Sequence, residues 1–370
     1  MTDDLVEWCD EYLPELYNPG LFDDEETTDD VWETVQKEAE QSILAHIDDE
    51  VERERVSDAL MDIAAEWFRT HRDTEIENLP SCTAEQIDTL LNKPQTSQHS
   101  ADWYAERRNR LTASEFSNIL TGSRGRLLQS KLDTSTSQTV NSAPVALAQR
   151  DGNMNATSWG HRFEPVVRDI YELEIAGVGT VCSTLGRFTH AVYPWLSASP
   201  DGIVIKGPLV GRLLEIKAPK TRQPDTYVPR EYYVQMQVQM EVCDIDAVDF
   251  VEAQFGQEEE GDTTPAYVAE AHWKGRIHVY GYTDDPTTWT YRYSAPVEDM
   301  KDAIVEPAPD LPLLESSIWW LKGWYPRTVL RNRSWWETVG WPEAELFWTQ
   351  VVSARESNTN TDTKTVWLGS

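Results

Sequence analysis

A chain of 370 residues, 40% of them hydrophobic, has material for one elaborated domain or for two, and no apolar run approaches the roughly 18 residues of a membrane span. The acidic opening lacks a signal-peptide pattern, and Cys9, Cys82, Cys182 and Cys243 lie far apart with no CxxC pair, so an intracellular, reducing setting is expected and a zinc or iron–sulfur site is not. A formal net charge of −32 argues at first against a nucleic-acid partner, yet residues 1–100 hold 28 acidic and 6 basic side chains while the other 270 hold 36 and 26, so most of the excess is N-terminal.

Residues 1–30 contain Pro14, Pro19, Gly20 and the run Asp23–Glu26, and read as a loose or partly helical acidic tail. From 31 to 71 apolar residues recur at helical spacing, including Val31, Val35, Ile43, Ile47, Leu60, Ile63 and Trp67, which predicts two or three amphipathic helices. Thr83 with Gln86 three residues on forms a capping-box pattern for a short helix that Pro94 stops. Trp103 to Arg110 is helical in pattern and basic, with Arg107, Arg108 and Arg110 close together. Thr112 and Glu115 then suggest a second capped start, where free N–H groups, Arg107 and the Ser114 hydroxyl could hold a phosphate. The simpler alternative pairs Arg107 with Glu106 or Glu115 and leaves Ser114 an ordinary first-turn residue.

Residues 121–157 are polar and glycine-containing and carry Arg124, Arg126, Lys131 and Arg150, as expected of a loop that orders on a substrate. A helix follows from Trp159, with Phe163, Val167, Ile170 and Tyr171 as its stripe and Glu164 in its first turn. Residues 180–196 read as strands that lead into a hairpin. There Pro200, Asp201 and Gly202 make the turn, and Leu213 to Ala218 make the returning strand. Side chains on a strand alternate faces, so Glu215 and Lys217 share one face while Leu214 and Ile216 face a core. The hairpin brings Asp201 beside Glu215, and two carboxylates with a backbone carbonyl form a half-shell for a hard cation. The bland alternative for Glu215 and Lys217 is a solvated ion pair. Residues 227–243 form a helix on which Gln235 and Gln239 share a face. A strand over 249–255 and a hairpin around Asp284, Asp285 and Pro286 follow. Tryptophans crowd 318–350, where they cover the end of the core or, beside Arg327, Arg331 and Arg333, stack on bases. Residues 354–370 read as a frayed polar tail.

Pro200-Asp201 with Glu215-Ile216-Lys217 closely resembles the PD-(D/E)xK arrangement of metal-dependent nucleases. Further segments stand in register with it: Gln98-His99-Ser100, Trp103 to Arg107, Arg110 to Ser114, Trp159 to Pro165, and Tyr233 to Cys243. Together they resemble the YqaJ or lambda-exonuclease group of viral recombination exonucleases, in its large-DNA-virus versions, alongside the herpesvirus alkaline nucleases. The resemblance covers about residues 83–350. It divides the chain into an acidic helical region (1–82), an exonuclease domain (83–350) and a polar tail (351–370). It implies an α/β, restriction-endonuclease-like core: a central mixed sheet of four or five strands flanked by helices. It implies a Mg²⁺-dependent exonuclease, with Mn²⁺ as substitute, working 5′→3′ on double-stranded DNA ends in recombination, repair or genome processing. A single-strand annealing protein is the natural partner. Asp201, Glu215 and the Ile216 carbonyl would bind metal, and Glu164 would serve a second metal or its waters. Lys217 would orient the attacking water, Gln235 would help place it, and Arg107 and Ser114 would hold the 5′ phosphate. The alternatives are an endonuclease or RNase on the same core, or a non-catalytic scaffold whose acidic N-terminal region binds a basic partner.

Overall fold

The computed structural model describes residues 2–17, 25–80, 82–98, 100–133, 154–224 and 227–365. Three helices, Thr2–Leu16, Glu25–Gln41 and Glu50–Glu77, share an apolar centre built from Leu5, Cys9, Leu13, Val35, Leu60 and Phe68. The stretch read as a loose or partly helical tail is a helix from Thr2 to Leu16. Leu5, Cys9 and Leu13 fall at successive i+4 positions and are buried, and this stripe outweighs the acidic composition and Pro14. The third helix starts at Asp49, whose carboxylate accepts from the Glu52 N–H. It meets the rest of the molecule where Arg72 donates to the Thr328 carbonyl at 2.8 Å.

The remainder is mixed α/β. A seven-stranded sheet has the order β10-β9-β11-β8-β7-β6-β3, with β3 Val181–Cys182, β6 Gly202–Val204, β7 Leu213–Lys217, β8 Ala247–Glu259, β9 Lys274–Tyr282, β10 Asp285–Tyr293 and β11 Leu313–Leu330. Only β7 and β8 run parallel in it, and helix Arg230–Cys243 is their crossover. A small second sheet, β1-β4-β5-β2, joins Thr96–Ser97, Gly186–Thr189, Leu196–Ala198 and Leu111–Thr112. Helix, antiparallel strands β3, β6 and β7, crossover helix and parallel strand β8 make the expected restriction-endonuclease-like core. The sheet is wider than the four or five strands foreseen because the β9–β10 hairpin and β11 extend it. The tryptophan-rich segment begins as this long strand, which pairs with β8 on one side and β9 on the other.

The two faces of β7 settle the layering. Leu214 and Ile216 pack with Phe163, Val167 and Ile170 of helix Ala156–Tyr171. Leu213 packs on the opposite side with Tyr233, Met236 and Met240 of helix Arg230–Cys243. Glu215 shares the Leu213 face and is only 1% exposed. A charged strand residue is therefore sealed under a helix, where it must be paired.

The C-terminal segment departs from expectation. Helix Trp341–Thr365 continues through most of what reads as a frayed tail. Ala344, Phe347 and Val351 bury one stripe of it, and Arg355 extends the hold by donating to the carbonyls of Arg108 and Lys131. Among the described residues no helix is long and apolar enough to cross a membrane.

Candidate active site

The hairpin reading of 197–219 holds at atomic detail. The Asp201 N–H donates to the Leu214 carbonyl at 3.1 Å, and the Asp201 carboxylate accepts from the Ile216 N–H at 2.8 Å. The turn is also gripped from outside. Gln98 donates to the Pro200 carbonyl at 3.0 Å and the Trp103 indole N–H to the Ser199 hydroxyl at 3.1 Å. His99, part of the same motif in the sequence, lies outside the described residues.

Glu215 is held by three side chains. One oxygen accepts from Lys217 and, at 2.7 Å, from Gln235; the other accepts from Gln239 at 2.6 Å. The glutamine spacing puts both amides over the same carboxylate, so the shared face foreseen for Gln235 and Gln239 is real. The family resemblance gives a role to Gln235 alone; Gln239 joins it here, fully buried and with no hydrogen-bond partner at its Oε1. The i, i+4 spacing was the signal that identifies it.

The electrostatics are those of crowded acids. Burial, then the neighbouring carboxylates of Glu215 and Glu164, push the Asp201 carboxyl well above the ordinary aspartate range, against the pull of Lys217 and the Ile216 N–H. Burial lowers the Lys217 ammonium, but Glu215 and Asp201 outweigh this and hold it above the ordinary lysine range. Lys217 also lies 4.8 Å from the centre of the Tyr232 ring. Glu164 stands on the other side of the sheet, partly exposed, with His161 Nδ1 at 3.9 Å. It bears on Asp201 through its charge. Among the described residues no three His, Cys, Asp or Glu side chains gather closely enough to hold a metal ion. The structure thus brings Asp201, Glu215, Ile216, Lys217 and Gln235 together and leaves Glu164 at the margin.

A second cluster sits on the shoulder of the site. Arg107 pairs with Glu115 at 3.2 Å, as in the simpler of the two readings, and its guanidinium lies 5.5 Å from the Trp103 ring. Glu115 also receives Lys131 at 2.8 Å and the Thr112 hydroxyl at 2.7 Å. Two opposing effects act on this carboxyl: burial raises it, and Lys131 and Arg107 together bring it below the ordinary range. Lys131 is 3% exposed and gives a second hydrogen bond, 2.7 Å, to the Arg107 carbonyl. Ser114 is exposed, with its hydroxyl 3.3 Å from that of Thr112. The helix that begins here, Ala113–Phe116, is a single turn, so a helix dipole contributes little and the cradle's charge comes from side chains. Arg150 lies outside the described residues.

With this geometry in hand, residues 102–246 match the family model of the YqaJ-like viral recombinase domain. Residues 102–246 are thus YqaJ-like. This span includes Arg107, Ser114, Glu164, Asp201, Glu215, Ile216, Lys217 and Gln235. The chain is also similar to an uncharacterized protein of Acanthamoeba polyphaga mimivirus, 24% identical over 192 residues, which is 46% of this chain and 32% of that protein. It therefore spans about a third of that relative. Among solved structures, an alkaline exonuclease from Laribacter hongkongensis is 19% identical with a TM-score of 0.41, covering 72% of this chain and 99% of its own. A phage-related exonuclease from Haemophilus somnus 129PT is 12% identical with a TM-score of 0.31, covering 69% and 96%.

Proposed function

We propose that the chain is a Mg²⁺-dependent DNA exonuclease that hydrolyses phosphodiester bonds from the 5′ ends of duplex DNA, with Mn²⁺ as a substitute ion. The observation that carries this reading is the Asp201–Glu215 pair within a YqaJ-like domain. The two carboxyls stand close together, and burial, then the charge of Glu215, raise the Asp201 carboxyl well above the ordinary aspartate range. A hard divalent cation fits such a donor set: the ligands are oxygens, their excess charge is negative, and the buried Gln239 oxygen leaves a further acceptor unused. Asp201, Glu215 and the Ile216 carbonyl would hold the ion, with Glu164 serving a second ion or its waters. Bound there, it supplies Lewis acidity toward a phosphodiester oxygen.

The side chains of the chain do the rest. Gln235 and Gln239 fix the direction of the Glu215 carboxylate, so its lone pairs are aimed before substrate arrives. Lys217, kept charged by Glu215 and Asp201, orients the attacking water and faces the anionic phosphate. Arg107 and Ser114 receive the terminal 5′ phosphate, and Arg107 exchanges its Glu115 partner for it. The grips of Gln98 and Trp103 on Pro200 and Ser199 keep this cradle at a fixed place relative to Asp201. A single-strand annealing protein would take up the strand left behind.

The test is digestion of a linear duplex with one 5′ end phosphorylated and one not, beside a closed circle, with and without Mg²⁺, using wild type and Glu215→Ala. Metal-dependent loss of the strand with the phosphorylated end, absent in the variant and on the circle, is the expected result. Nicking of the circle would move the enzyme to the endonucleases. No cleavage with any metal would leave the scaffold reading in its place.

A further inference from the structure

Arg187, on β4, is a buried cation whose hydrogen bonding is incomplete. It is 2% exposed. Its Nη1 donates to the Trp103 carbonyl at 2.7 Å, and its guanidinium stacks 4.5 Å from the centre of the Trp103 ring. Its Nε and Nη2 have no hydrogen-bond partner. Buried guanidinium groups are normally satisfied on every side, so two idle N–H groups call for an explanation.

The surrounding charges sharpen the question. Glu115 is shared by Arg107 at 3.2 Å and Lys131 at 2.8 Å. Glu106 is shared by Arg110 at 3.6 Å and Arg187 at 3.5 Å. Each carboxylate serves two cations, so the cluster carries a positive excess inside a chain whose net charge is −32. Burial and then Arg107 lower the Arg187 guanidinium to about 10, so the arrangement disfavours its charge. Arg107 and Arg187 both lie on the ring of Trp103, and the indole N–H of that residue holds Ser199, two positions before Asp201. A packing role on β4 would be met by an apolar side chain. A buried, underpaired cation behind a half-buried arginine is what an anion site requires.

We propose that Arg187 is a second, buried cation of the terminal-phosphate cradle, acting through Trp103 and Arg107 to make the site select a 5′-phosphorylated end over a 5′-hydroxyl end. The proposal rests on the exonuclease reading above and deepens it. Arg187 is a positioning residue: it holds the indole, and its field reaches the phosphate without contact. A bound phosphate dianion relieves the repulsion between Arg187 and Arg107, so binding is favoured most where the charge on the end is largest.

The experiment measures dissociation constants of duplexes with a 5′-phosphate or a 5′-hydroxyl end, at fixed salt and in EDTA, for wild type and Arg187→Met. Wild type is expected to prefer the phosphorylated end, and Arg187→Met to lower that preference by roughly tenfold while binding the hydroxyl end about as before. Inorganic phosphate should compete for the phosphorylated duplex in wild type and much less in the variant. Equal weakening on both ends, or an unchanged preference, would overturn the role of Arg187 and leave the exonuclease reading intact. A wild-type protein that neither prefers phosphorylated ends nor degrades DNA would remove that reading and this one with it. Should the Met variant fail to fold, Arg187→Lys carries the test. It keeps the charge and loses the flat face on Trp103, so part of the preference should survive, and a uniform loss on both ends overturns the proposal.

Discussion

The Asp201 hairpin and the Arg107 shoulder are opposite electrostatic designs separated by one tryptophan. At the hairpin, Asp201 and Glu215, with Glu164 nearby, outnumber the cation Lys217, and this excess adds to burial in raising the Asp201 carboxyl. On the shoulder, four cations share Glu106 and Glu115, and the excess shows as a guanidinium with idle donors. Each region by itself is short of a counter-charge, and the two shortages are of opposite sign. A metal ion with a phosphorylated strand would supply both. The contrast teaches that the acidity of the whole chain is a poor guide to the surface that meets a substrate, because local sign is set by a few buried groups.

Breaking the shoulder should have the largest effect on folding. Lys131 is nearly inaccessible, and its ammonium, lowered chiefly by burial, is kept in place by Glu115. Lys131→Met removes the better-buried partner of Glu115 and a hydrogen bond to the Arg107 carbonyl. The loss should be about 3 kcal/mol, the typical cost of stranding one member of a buried pair. Urea denaturation gives the number, and a loss under about 1 kcal/mol would show that Arg107 alone satisfies Glu115.

These two regions differ just as much in how well they can be read without coordinates. The hairpin was legible because strand alternation is local. The Pro-Asp-Gly turn, the Glu-x-Lys spacing and the two glutamines a helical turn apart each lie within one element. The capping boxes at Thr83 and Thr112 were legible for the same reason. The shoulder was only half legible. Lys131 meets Glu115 from 16 positions away, out of a polar stretch that carries no pattern, and Arg187 sits between Gly186 and Phe188 in a strand too short to show alternation. The width of the sheet was missed because β11 alternates poorly, with tryptophans on both faces that read as a cap. The first helix is only partly legible because acidic residues and Pro14 mask a three-residue stripe.

The hairpin can be probed next, at smaller cost. Gln239 is out of reach of solvent and of the proposed substrate, so its effect passes through Glu215 or through its own idle oxygen. Gln239→Met keeps the volume and removes the donor at 2.6 Å. The carboxylate should then swing more freely, and affinity for Mn²⁺ should fall by roughly tenfold, as when other orienting partners of metal ligands are lost. Calorimetric titration measures it. An unchanged affinity would mean that Lys217 and Gln235 already fix the carboxylate and that Gln239 only fills space.

The smallest effect is the most specific to the charge contrast, because the Glu115 carboxyl of the shoulder is shifted the opposite way. The Asp201 carboxyl is raised in the folded protein above its ordinary value of 3.8, through burial and the nearby acids. The folded state therefore binds a proton that the unfolded state gives up. That contribution to stability is complete below about pH 4 and disappears as pH climbs through the raised value. In EDTA, wild type should lose thermal stability relative to Asp201→Asn between pH 5 and pH 8, by about 2 °C or more. The asparagine keeps an acceptor for the Ile216 N–H and has no charge to lose, so it isolates the repulsion from the hydrogen bond. Adding Mg²⁺ should narrow the gap most at the high-pH end, since the ion takes over the role of the proton. If the gap instead stayed flat with pH, the acids of the hairpin would be sufficiently neutralised by Lys217 alone. The site would then have no electrostatic reason to seek a cation, and the symmetry between hairpin and shoulder would fail on the hairpin's side.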